Sequence, residues 1–167
     1  MTSLAEAAAS ADALAAENDA RGLANLRAEW ADELEGAARS RDFRERAVAY
    51  RAIGQFRFRQ KTELLRRGLE DESPACRGSA LIALELLSRD HPGLVNDVRP
   101  LLHELVNADG NDAVRKLAIV CLRNGSAQRP TIQLLAHLAD DDEQSRGLRE
   151  AAAHVAATLK KKLGAKG

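Results

Sequence analysis

The feature that most constrains this 167-residue chain is a phrase that returns four times at nearly even intervals. It is clearest in Asp109–Leu122, DGNDAVRKLAIVCL: an acid opens a turn, an arginine follows six residues later, an alanine three after that, a leucine four further on. Asp71–Leu84, DESPACRGSALIAL, keeps the same spacing. Aligned on the arginine, Arg46, Arg77, Arg115 and Arg149 are each followed three positions on by Ala49, Ala80, Ala118 and Ala152. Successive arginines stand 31, 38 and 34 residues apart. Such a period belongs to helical hairpins that stack because none of them buries its apolar face alone.

The grammar has a local physical reading. The acid can accept from open backbone N–H groups at the turn, and the arginine can reach an acid in its own or the next repeat. The alanine lets two helices approach closely, and the leucine fills the shared core. The acids six residues before the arginines are Asp71, Asp109 and Glu143; the first hairpin has Ser40 there. The fourth carries the tract Asp140–Glu143 and a second candidate arginine, Arg146.

Composition supports helix throughout. Aromatic residues make up 3% of the chain, and alanine, leucine, arginine and glutamate dominate over β-branched residues. The expected fold is all-α, an α-solenoid of about four hairpins behind an extra N-terminal helix. We expect residues 1–20 to form that helix, capping or partly mobile, residues 21–163 the repeat domain, and residues 164–167 a basic tail. Leu4, Ala7, Ala11 and Leu14 share one stripe of the first helix, and Gly22 allows a break after it. Leu23, Leu26, Trp30 and Leu34 mark a second helix, with Trp30 as a core anchor. A third helix, about Phe43–Phe56, should turn Val48, Ala49 and Ile53 inward. Ser73-Pro74 is a helix start, His91-Pro92-Gly93 a stop, and Asp97 a candidate cap for the helix that holds Pro100.

The phrase in its purest form, V-R-x-x-A-x-x-x-L at Val114–Leu122, resembles the HEAT-like repeat family, including the bacterial branch related to bilin-lyase repeats. The resemblance covers roughly Leu23–Leu163 and is closest in the two middle hairpins. It implies a curved α-solenoid that binds partners along its concave face, its members holding proteins, nucleic acids or pigments. It therefore points to a binding module without choosing the ligand.

Chemistry on a substrate has no sequence support. His91, His103, His137 and His154 form no His-x-x-x-His pair, Cys76 and Cys121 form no Cys-x-x-Cys pair, and no glycine-rich phosphate loop is present. Asp140–Glu143 lacks the glycine and the alternation of a calcium loop. Gly125-Ser126 lies in a turn, but no base is flagged beside it. We expect no enzyme activity, no metal and no cofactor. The two isolated cysteines suggest free thiols and a cytoplasmic protein, and no stretch approaches the roughly 20 apolar residues of a membrane span.

Net charge is zero overall but banded: −6 over residues 1–38, +7 over 39–67, −6 over 68–112 and +4 over 113–138. The basic block is the most suggestive feature, because arginine forks bind carboxylates and phosphates alike. Its members Arg41, Arg44, Arg51, Arg57, Arg59, Lys61, Arg66 and Arg67 are the candidate partner-binding residues, with Arg57 and Arg59 interleaved with Phe56 and Phe58. The expected partner is a protein with an acidic surface. A solvated face neutralised by the acidic flanking repeats is the plainer alternative. A phosphate-backbone binder, as in HEAT-like DNA glycosylases, is the other, and the acidic middle interrupts the continuous basic stripe it would need. Self-assembly through the alanine stripe at Leu4–Leu14 is a third possibility.

Overall fold

The structure, a computed structural model, describes residues 2–165; those residues form ten helices and no strand. They condense into two compact units, one up to Leu87 and one from Ser88 onward.

In the first unit, α1 (Leu4–Ala16) opens with a reciprocal cap. The Ser3 hydroxyl accepts from the Glu6 amide at 3.2 Å, and the Glu6 carboxylate accepts from the Ser3 amide at 2.8 Å. Its small side chains Ala7, Ala8 and Ala11 are buried with Leu4 as α1 packs on α2 (Ala20–Ala38) and α3 (Phe43–Gln55). The alanine seam is thus covered within the chain. The break after α1 falls before Gly22, not at it. Asn18 takes the left-handed conformation (φ 59°), and the Asp19 carboxylate accepts from Gly22 N at 2.9 Å to cap α2. Asparagine tolerates that conformation, so no glycine is needed there.

Leu23, Leu34 and Ala38 are the buried residues of α2. Trp30 is half-buried rather than a core anchor, in keeping with how rarely so large a ring is enclosed completely. On α3, Ala49, Tyr50, Ala52 and Ile53 are buried. Val48 is exposed, against expectation: at 3.6 residues per turn it lies roughly 140° around the helix from Ile53. The rings of Phe56 and Phe58, 5.5 Å apart, close the turn into α4 (Thr62–Leu69).

Helix α5 (Pro74–Ser88) starts at the Ser73-Pro74 signal and buries Ala80, Leu81, Leu84 and Leu87. Two glycines let helices approach it. A Cβ on Gly54 would lie 2.8 Å from Ala83 Cα, and one on Gly68 would lie 2.7 Å from the Ala80 Cβ. The alanine of the repeat phrase therefore does what its size suggests.

The second unit holds α6 (Gly93–Asp97), α7 (Arg99–Ala108), α8 (Asp112–Leu122), α9 (Arg129–Ala139) and α10 (Arg146–Ala165). Helix α8 packs on α7 and α10, and α9 on α10. Their leucines, Leu102, Leu122, Leu135, Leu148 and Leu159, are enclosed. Asp97 ends α6 and is exposed; Val98 precedes α7 with no side-chain cap, so the expected capping role is not taken up. Pro100 does sit in the first turn of α7. Of the tail expected at 164–167, Gly164 and Ala165 continue α10, and Lys166 and Gly167 lie outside the described residues.

Candidate functional site

The repeat residues are tied up in the fold. At each hairpin turn one side-chain oxygen accepts from the amide two residues on. Ser40 takes Asp42 N at 3.1 Å, Asp71 takes Ser73 N at 2.9 Å, Asp109 takes Asn111 N at 2.9 Å and Asp141 takes Glu143 N at 3.0 Å. Ser40, which breaks the acidic pattern in sequence, does the same work through its hydroxyl. In the fourth hairpin the acceptor is Asp141, not Glu143, because two extra residues separate it from Arg149. Its carboxyl is held below the usual range, first by the Gln144 amide and then by the Glu143 backbone.

In the first two hairpins the arginine clamps the same turn, whereas Arg115 donates to the Val106 carbonyl and to Gln144 of the next repeat. Arg46 Nη1 donates to the carbonyls of Ser40 and Arg41 at 3.0 and 3.1 Å, and Arg77 Nη1 to those of Asp71 and Glu72 at 2.9 and 3.1 Å. The other edge of Arg46 grips the Asp71 carboxylate of the next repeat through Nε (2.9 Å) and Nη2 (3.1 Å). Burial pushes the Asp71 carboxyl up, but the Arg46 fork and the Ser73 amide outweigh it and hold it below its ordinary value. These groups hold the hairpins in register and are not available to a partner.

The eight basic candidates separate into distinct settings. Arg57 occupies a left-handed position (φ 58°) after α3. Its Nη1 donates to the Gly54 and Gln55 carbonyls at 2.8 and 3.1 Å and pairs with Asp12 of α1 at 3.0 Å. Lys61 pairs with Glu35 at 2.7 Å and lies over the Phe58 ring, 5.1 Å from its centre. Both are structural. Arg59 is exposed in the same turn.

Arg66 and Arg67 are exposed on α4, and Arg67 lines a depression that also holds Glu35, Arg39 and Glu63. Arg41, Arg44 and Arg51 stand elsewhere. Arg41 lies just before α3, and Arg44 and Arg51 lie on α3 itself at the spacing that shares a face with Val48. All three are exposed and make no ion pair among the described residues. The block is thus partly neutralised within the fold and partly presented.

The presented part borders a groove. A cleft of about 640 Å³ is lined by Ser3, Leu4 and Ala5 of the α1 end, Glu33, Gly36 and Ala37 of α2, and Arg44, Glu45 and Val48 of α3. A second, of about 380 Å³, adjoins it across Val48 and is lined by Ala5, Ala47, Arg51, Gln55 and Ser79. Among the described residues, the exposed large apolar side chains are Phe43 (44%) and Val48 (37%), with the Arg44 guanidinium 5.6 Å from the Phe43 ring centre. The arginines here are the ones expected from the sequence; Phe43 and Val48 are not. Their signal was present, since neither falls in the arc set by Ala49, Ile53 and Phe56.

The first unit thus belongs to the class of proteins built from antiparallel helical hairpins with an arginine-clamped turn. The sequence matches the family of HEAT repeats over residues 31–123, more than half of the chain, and the chain belongs to that family. Its fold class is therefore the all-α, HEAT-like α-solenoid class. No curated protein and no solved structure matches it. No helix among the described residues is long and apolar enough to cross a membrane.

Proposed function

We propose that this protein is a non-catalytic interaction module, an adaptor or regulatory scaffold, that docks an acidic segment of another protein on the exposed face of α3. HEAT repeats generally mediate protein interactions, which supports the coarse reading. The observation that carries the finer one is the coincidence of exposed apolar and unpaired basic groups on one helix. Val48 offers an apolar anchor in the groove between Arg44 and Arg51, Phe43 a separate one at the start of α3 beside Arg44, and Arg41, Arg44 and Arg51 offer charge that nothing in the fold has neutralised. A segment with one or two apolar residues flanked by aspartate or glutamate fits that pairing.

Within the original block, Arg44 and Arg51 are the residues of this surface, with Arg41 at its edge. Arg59, Arg66 and Arg67 are peripheral to it, and Arg57 and Lys61 act through the fold. A nucleic-acid backbone would need a longer run of cations than Arg41, Arg44 and Arg51 supply. Cys76 and Cys121, both buried and not joined in a disulfide, agree with a cytoplasmic location.

A photo-crosslinking residue placed at Val48 tests the reading in nuclease-treated native lysate. The expected product joins α3 to a protein segment rich in acidic residues. A product that maps to a basic segment, or capture that disappears with nuclease, would contradict it.

A further inference from the structure

The second unit encloses a guanidinium that no carboxylate answers. Arg99, at the start of α7, is 6% exposed and forms no ion pair among the described residues. Every oxygen it meets is neutral. Nη1 donates to the Thr131 hydroxyl at 2.8 Å. Nη2 donates to the Asn96 side-chain oxygen at 2.6 Å and the Ser126 carbonyl at 2.9 Å, with the Ser126 hydroxyl at 3.3 Å. Its Nε is buried without a partner. The stretch Ala113–Leu138, which supplies Ser126 and Thr131, carries four basic residues and no acid, and Asp97, two residues before Arg99, is exposed and makes no ion pair with it. A buried charge in this state is costly, and burial alone pulls the Arg99 proton affinity down.

The donors around it converge on a single point. Asn96 Oδ1 receives Arg99 Nη2 at 2.6 Å, the Ser126 backbone N–H at 3.0 Å and the Ser126 hydroxyl at 3.0 Å. A neutral amide oxygen has two lone pairs, and three donors, one of them charged, are the surroundings of an anionic oxygen. Asn96 itself is exposed, so its side chain can swing into solvent and leave the three donors in place. Gly125 keeps the position open: a Cβ there would stand 2.9 Å from Arg99 Nη2 and 3.1 Å from Asn96 Oδ1. Thr131 fixes the guanidinium from behind, and its hydroxyl is shared with His103 Nε2 at 2.9 Å.

We propose that Arg99 Nη2, the Ser126 N–H and the Ser126 hydroxyl form a binding site for one oxyanion group, a phosphate or a carboxylate, whose oxygen position the Asn96 amide occupies in the free protein. The site is independent of the α3 face. It binds by exchange: the Asn96 oxygen leaves, and a charged oxygen takes its three donors and neutralises Arg99.

The test uses the full isotope-labelled chain, with inorganic phosphate or acetate replacing chloride at constant ionic strength. The Ser126 amide and the Arg99 Nε–H resonances are followed. In Asn96→Ala, which removes the competing oxygen, phosphate should shift both signals saturably and bind about tenfold tighter than to wild type, the worth of one charge-assisted hydrogen bond. Adding Ser126→Ala to Asn96→Ala should weaken the binding again. Asn96→Asp places a carboxylate on the donors from within; it should raise the melting temperature at neutral pH and abolish the phosphate response. Acetate binding as tightly as phosphate assigns the site to carboxylates, and phosphate binding more tightly assigns it to phosphates. A folded Asn96→Ala protein with no saturable shift for either anion overturns the proposal. So does an Asn96→Asp protein that melts below wild type.

Discussion

Arg57 and Lys61 on one side, and Arg44 and Arg51 on the other, belong to one basic block in sequence and to two different kinds of surface in the folded chain. The first pair is spent on the fold: Arg57 on the carbonyls that end α3 and on Asp12, Lys61 on Glu35 and the Phe58 ring. The second pair projects from α3 with no acid within salt-bridge reach among the described residues. A run of cations measures how much charge a segment carries, not how much of it remains for a partner. The acids that decide the matter, Asp12 and Glu35, lie in helices far upstream. The same contrast holds for aromatic residues: Phe56 is fully enclosed and Phe43 is 44% exposed.

That contrast can be broken by substitution, and the aromatic pair gives the largest effect. Phe56→Ala should destabilise the protein by about 3–5 kcal/mol in urea unfolding, since it empties a fully buried site. Phe43→Ala should change stability by less than about 0.5 kcal/mol while weakening the partner. Equal losses at the two positions would erase the distinction between core and docking face.

Next in size is Gly54→Ala. The new methyl would meet the α5 backbone at Ala83 Cα, which cannot move as a side-chain tip can, so a loss of about 1–3 kcal/mol is expected. Gly36→Ala, on the groove wall with open space around it, should be neutral to slightly stabilising, by up to about 1 kcal/mol.

A third effect depends on pH and belongs to the second unit. Burial first, and the Arg99 charge second, push the His103 imidazole below its ordinary value of 6.5. The folded state therefore binds fewer protons than the unfolded one between the two pKa values. Stability from this source is fully present above 6.5 and is lost as pH falls from there toward the lowered value. Replacing His103 with Gln should flatten the fall in melting temperature between about pH 7 and 5. An unchanged slope would assign the pH dependence to other groups.

The smallest effect is that of Lys61→Ala. The Lys61 hydrogen bond is the largest influence holding the Glu35 carboxyl below 4.5; the pair is partly exposed, so its removal should cost about 0–1 kcal/mol at neutral pH. A lowered carboxyl stabilises above its unfolded value and loses that contribution as pH drops through the folded one. The difference between wild type and Lys61→Ala should therefore vanish in acid.

How much of this was legible in the sequence follows from the range of each interaction. The turn acids Asp71 and Asp109 act on amides two residues away, and Arg77 on carbonyls five and six residues back, so fixed spacing exposes them. Ser40 and Asp141 were harder. A hydroxyl replaces the acid in one, and two inserted residues shift the register in the other. Val48 is as apolar as Ile53, but only the angle around the helix separates it from the arc of Ala49 and Ile53. The convergence of Arg99, Asn96 and Ser126 joins segments about 30 residues apart, and no spacing rule encodes it. Gly125-Ser126 reads as a turn in sequence, while the guanidinium that meets it comes from 27 residues upstream.

The most direct measurement of the central claim compares two double variants against the identified partner: Arg44→Ala/Arg51→Ala and Arg57→Ala/Lys61→Ala. Affinity at low and high salt and melting temperature are recorded for each. The first variant should lose about tenfold or more in affinity at low salt, less at high salt, and keep its melting temperature. The second should melt earlier and, while folded, bind as wild type does. Undiminished binding by the Arg44/Arg51 variant would contradict the account, as would a loss of binding confined to the Arg57/Lys61 variant.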